Sequence, residues 1–143
     1  MRPLLGSRDS TSRIVQLFSE QPDLGLLVPK GCILDAGLLQ YHVENTFWLD
    51  RLLKRLNRED LVGTYSFSFP AGSMYWFRLD ALTGFEEVML EEDPFEHELG
   101  QRDGTLAHAI ERVVALYVEQ SGYSVKEIVT MEIGPDLSIE IAT

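Results

Sequence analysis

The chain of 143 residues has one cysteine, Cys32, so it can form no internal disulfide and no cysteine-based metal cluster. It has no apolar run near the ~18 residues that span a bilayer. Its first residues, MRPLLGSRDSTSR, are too short in apolar character for a secretory signal,. Also missing are a glycine-rich phosphate loop, a G-x-S-x-G elbow and an H-E-x-x-H zinc motif. Basic residues are scarce, 12 against 23 acids, for a net charge of −11. That balance excludes direct nucleic-acid binding, because phosphate contacts call for basic or neutral donors. These absences together predict a single cytoplasmic domain over residues 1–143, without membrane, metal or cofactor.

What is present is patterned for an α+β fold. DSTSRIVQLFSEQPD carries cap residues Ser10 and Ser12, apolar Ile14, Leu17 and Phe18, and then Pro22, which predicts a short helix,. LGLLVPKGCILDAG is apolar but interrupted by Gly25, Pro29, Gly31 and Gly37, consistent with one or two short strands or a buried connection. NTFWLDRLLKRLNRED predicts a helix with Trp48, Leu49, Leu52, Leu53 and Leu56 on one face and Arg51, Lys54, Arg55 and Arg58 on the other,. GTLAHAIERVVALYVEQS gives the strongest helical pattern, closed by Gly122,.

Two stretches alternate with period two. In residues 62–80, Phe69 with Tyr75, Phe67 with Phe77 and Tyr65 with Leu79 would face each other in a hairpin turning at Gly72. In residues 126–142, Val129, Met131 and Ile133 match Ile141, Ile139 and Leu137 across Gly134-Pro135-Asp136. The expected architecture is an antiparallel sheet built from these two hairpins, with two or three helices packed on one face.

Charge is concentrated in FEEVMLEEDPFEHELGQRDG, residues 85–104, which holds eight carboxylates and one arginine. Apolar Phe85, Val88, Met89, Leu90, Phe95 and Leu99 interleave with the acids, so this is not a plain charged tail. Pro94 ends or bends any helix begun at residue 85. Apolar anchors ringed by carboxylates suit a basic partner, since charge speeds encounter while buried groups hold the complex. On this reading Glu86, Glu87, Glu91, Glu92, Asp93, Glu96 and Glu98 supply charge complementarity, with Phe95 and Trp76 as anchors. For Trp76 the competing expectation is burial beneath a helix.

The remaining candidates for chemistry are sparse. His42 with Glu44, and Glu96-His97-Glu98, set imidazole beside carboxylate, and His108 could join His97. A metal site needs three or four converging ligands, however, and sequence neighbours point apart. Cys32 has only Lys30 nearby and is expected to be an inert, buried thiol.

In composition the chain resembles bacterial immunity proteins, antitoxins and phage-encoded inhibitors. This resemblance implies a non-catalytic acidic protein that neutralises or regulates a basic partner (a toxin, a nuclease or a nucleic-acid-binding protein), mimicking nucleic-acid charge. A self-assembling structural or accessory protein, including a homodimer, is the second expectation. A small enzyme or ligand-binding domain, with the aromatic sheet face lining a pocket, is the third. The basic stripe of Arg51, Lys54, Arg55 and Arg58 would weaken the first reading if it neutralised the acidic segment internally.

Overall fold

The run LGLLV forms β1 (Leu24–Val28), and all five of its residues are buried. A strand hidden on both faces is written as a continuous apolar run rather than an alternating one. The computed structural model describes residues 8–38, 46–88, 95–97, 99–101, 103–132 and 138–141. Besides β1, its strands are β2 (Ile33–Asp35), β3 (Ser68–Pro70), β4 (Trp76–Phe77), β5 (Ser124–Glu132) and β6 (Ser138–Ile141). A mixed four-stranded sheet has the order β4-β1-β5-β6, and β2 pairs with β3 separately. β1 lies antiparallel to β4 and parallel to β5.

Four α-helices are described: α1 (Arg8–Glu20), α2 (Thr46–Arg55), the single turn α3 (Phe85–Val88) and α4 (Leu106–Gln120). The fold is therefore α+β. Helix α4 begins at Thr105, whose backbone is extended and whose hydroxyl accepts from the His108 N–H. Residues Leu106, Ala109, Val113, Val114, Ala115, Leu116 and Val118 bury more than one face of this helix, as expected for a central helix. One side of α4 packs on α2, through Leu49, Leu52 and Leu53, and on Tyr65, Phe69 and Phe85. Its Ala115 and Val118 meet Leu26 and Val28 of β1. Leu27, pointing the other way along the strand, joins Ile128 under Ile14 and Leu17 of α1. Helices thus cover both faces of the sheet, not one.

Gly25 is explained by closeness. A Cβ there would sit 2.5 Å from Val118 Cγ1 and 2.7 Å from Tyr123 Cβ. Only a residue without a side chain lets α4 and the strand after it approach β1 this closely.

The expected hairpin over 62–80 is replaced by two separate pairings. β3 pairs with β2, placing Phe69 opposite Leu34, and β4 pairs with β1, placing Trp76 opposite Leu27. The turn at Gly72 does form, with positive φ at Gly72 and Ser73. It is fastened to α4 rather than between its own strands: Glu111 Oε1 accepts from the Gly72 N–H at 2.6 Å and from the Ser73 hydroxyl at 3.2 Å. Tyr65 also has positive φ, 48°, which ends the extended run where the expected register needed it to continue.

The C-terminal hairpin forms. Met131 faces Ile139 as expected, but Ile141 faces Ile128 in place of Val129 because the register shifts between Ile128 and Thr130. The shift buries Ile128 and leaves Val129 exposed, since one extra residue turns the following side chains to the other face. Residues 133–137 lie outside the described residues.

Candidate functional site

Glu96 sits where three parts of the chain meet. Its carboxylate accepts from the Trp48 indole N–H of α2 at 2.6 Å. It also accepts from the Leu106 N–H, the first of α4, at 3.2 and 3.0 Å. An anion suits that position because a helix start leaves N–H groups unpaired and carries partial positive charge. Burial pushes the Glu96 carboxyl upward. Backbone N–H groups, the Trp48 indole and the nearby His108 more than offset this, leaving it below its ordinary value.

Beside Glu96 lies a cleft of about 340 Å³, walled by Phe95, Glu96, His97, Gln101, Thr105 and His108. Phe95 is 63% exposed. The Gln101 side chain closes the loop, donating to the His97 carbonyl at 2.8 Å and accepting from the Leu99 N–H at 2.7 Å. His108 Nδ1 and Thr105 Oγ1 are 2.6 Å apart, so the second ring nitrogen of His108 is left for other partners. Among the described residues the His97 ring has no partner.

Around the start of α4 lies a buried ion pair. Arg112 Nη2 donates to Asp103 Oδ2 at 2.8 Å, with side-chain exposures of 5% and 2%. Arg112 Nη1 donates to the His108 carbonyl at 2.9 Å, and the guanidinium lies 5.2 Å from the Phe69 ring centre. Asp103 Oδ1 accepts from the Gly104 N–H. Together these bonds hold the residues before α4 against its second turn.

The sequence-derived site residues are dispersed by the structure. Phe95 and Glu96 meet at the cleft. Glu86 and Glu87 are exposed on α3, whose Phe85 and Val88 are buried. Trp76 is half-buried against the cluster of Ile14, Leu17, Leu27 and Ile128 under α1. Glu91, Glu92, Asp93 and Glu98 lie outside the described residues, as do His42 and Glu44. Among the described residues, no three of His, Cys, Asp and Glu group to hold a metal ion, and none of the helices is long and apolar enough to cross a membrane.

Most of the basic stripe is occupied close to home. Arg51 lies 5.5 Å from both the Phe47 and Trp48 ring centres. Arg55 donates to the Val88 carbonyl at 3.5 Å, and Arg58 pairs with Asp60 at 2.9 Å. Sequence inspection missed Asp103, Gln101, Thr105 and Glu111. The one usable signal was Thr105, a cap residue directly before the helical pattern.

The model of the family described as RgpF, rhamnan synthesis protein F, matches residues 4–123. The chain belongs to this family. Two curated relatives, each described as "Uncharacterized protein WxcX" and each from a strain of Xanthomonas campestris pv. campestris, are 42% identical over 115 residues. That alignment covers 80% of this chain and 16% of each relative, so the chain spans a small part of their length. No solved structure gives a significant match. Family membership overturns the expectation of an acidic inhibitor, immunity protein or antitoxin. Composition misled here because a net charge describes solubility and association, not chemistry.

Proposed function

We propose that the protein serves the synthesis of a rhamnose polysaccharide, as a part that recognises saccharide rather than one that transfers it. The observation that carries this reading is the family match over residues 4–123. The geometry supports the recognition half. The cleft combines an exposed ring, a carboxylate, an amide and two imidazoles, the mixture of apolar surface and a few polar groups that orients a small ligand. Two acids tie separate segments of the chain together: Glu96 with Trp48, and Asp103 with Arg112. The reading is tested by deleting the gene in its source organism and restoring it in trans, with rhamnose in the surface polysaccharide measured after hydrolysis. Loss of rhamnose polymer that the intact gene restores is the expected outcome. Unchanged rhamnose content would overturn the reading.

A further inference from the structure

A second, smaller pocket of about 140 Å³ opens where β2 and β3 meet the C-terminal part of α4 and the start of β5. Its walls are Ile33, Ser68, Phe69, Ala115, Glu119 and Val125. Ala115 and Glu119 stand one helical turn apart and so share a face of α4. Phe69 and Ala115 are buried, and Ile33 and Val125 are partly buried against the core. Ser68 and Glu119 are exposed overall, so a ligand can reach the polar side of the pocket.

Glu119 is the only ionisable group in this lining, and among the described residues no hydrogen bond or ion pair reaches its carboxylate. Arg58 favours its charge from nearby, but that guanidinium is bonded to both Asp60 oxygens, at 2.9 and 3.0 Å. Burial outweighs Arg58 and pushes the Glu119 carboxyl above its ordinary value. An anion without a partner beside apolar walls suits a cation that carries its own apolar stem. A metal ion is a poor match, because it needs three or four converging ligands, and the pocket side chains supply one carboxylate and one hydroxyl. The volume lies below the roughly 300 Å³ at which ligand sites begin, so it takes the end of a chain rather than a ring system. An alkylammonium meets each condition. Its methylenes lie against Ile33, Phe69, Ala115 and Val125, and its three N–H groups serve Glu119, the Ser68 hydroxyl and water. The net charge of −11 draws such cations to the protein,.

We propose that this pocket binds the end of a primary alkylammonium chain, with Glu119 as its counter-ion and Ser68 as a second acceptor. The site is separate from the Phe95 cleft and independent of the rhamnan reading. Lysine side chains of a protein and free diamines share this chemistry. The test titrates the full chain with n-pentylammonium and with n-pentanol, its uncharged counterpart, while amide shifts are followed by NMR. The native protein and Glu119→Gln are compared. Cadaverine and Nα-acetyl-lysine methylamide then separate the two sources: tighter binding of the first points to a free diamine, and of the second to a protein.

Saturable binding of pentylammonium is expected, with shifts at the six lining residues. Pentanol should bind about tenfold more weakly, the low end of what one hydrogen bond to a charged group contributes. Glu119→Gln should reduce the ammonium to the level of the alcohol. In the native protein the Glu119 carboxyl should titrate lower with pentylammonium bound than without it, because a nearby cation favours the charged form. The glutamine variant keeps the shape of the side chain and breaks no hydrogen bond among the described residues, so unchanged shifts away from the pocket verify its fold. Three results would overturn the proposal: equal binding of the alcohol and the ammonium, ammonium shifts that persist in Glu119→Gln, or no saturable binding at the pocket.

Discussion

The Trp48 indole N–H donates to Glu96 across 48 positions of sequence, at 2.6 Å, and this bond fixes the acidic segment to the helical layer. The same carboxylate caps α4, so α2, the segment around residue 96 and α4 are joined through one side chain. Arg51, 5.5 Å from the Trp48 ring centre, adds a cation to the arrangement.

Acid should loosen that joint. The Glu96 carboxyl is depressed below its ordinary 4.5, so its stabilising contribution is present above that value and lost as pH falls through the lower folded value. Trp48 emission followed by acid titration should change below pH 4.5, and Glu96→Gln should remove that transition. Retention of the transition in the glutamine variant would assign it to another group.

The pair of Asp103 and Arg112 gives a larger effect. Asp103→Ala leaves a buried guanidinium uncompensated and should cost about 3–5 kcal/mol, measured by urea unfolding. Replacing both residues together, Asp103→Leu with Arg112→Met, should cost clearly less, because no charge is stranded. Equal losses in the two proteins would show that packing, not charge, dominates at this position.

Tyr65 predicts an alkaline limit. Burial, followed by the 2.8 Å bond to Asp50, pushes its phenol from 10.0 up to about 12. The folded state keeps the proton that the unfolded state releases. The associated stability is therefore complete below pH 10 and disappears as pH rises from 10 towards 12,. Tyr65→Phe should flatten the decline of melting temperature over that window, whereas an unaltered slope would exclude Tyr65 as its source.

Gly25→Ala should destabilise the protein by about 1–3 kcal/mol through overpacking against Val118 and Tyr123,. Val118→Ala introduced alongside it should recover part of the loss by freeing the space that the new methyl group needs. Thermal unfolding of both proteins measures the difference.

Local patterns in the sequence were good guides to local structure. Helices α1, α2 and α4 follow their apolar spacing, although α1 starts at Arg8, before the expected caps Ser10 and Ser12, and the C-terminal hairpin follows its alternation. Contacts made at long range were not legible. Nothing near Gly72 announces that Glu111 holds its turn, and the parallel pairing of β1 with β5 joins segments about a hundred residues apart. The cleft was half visible. Phe95 and Glu96 stand out in an acidic run, but their roles diverge: one offers an exposed ring and the other is bonded to Trp48 and to the first N–H of α4. No count of charges separates those two fates, which depend on where Trp48 and Leu106 fall in the fold.

The most direct test of the account replaces the native gene with one encoding Phe95→Ala, and measures surface rhamnose with the protein at its normal level. Recognition of glycan at the cleft predicts less rhamnose polymer or shorter chains. Polymer unchanged in amount and length would contradict it.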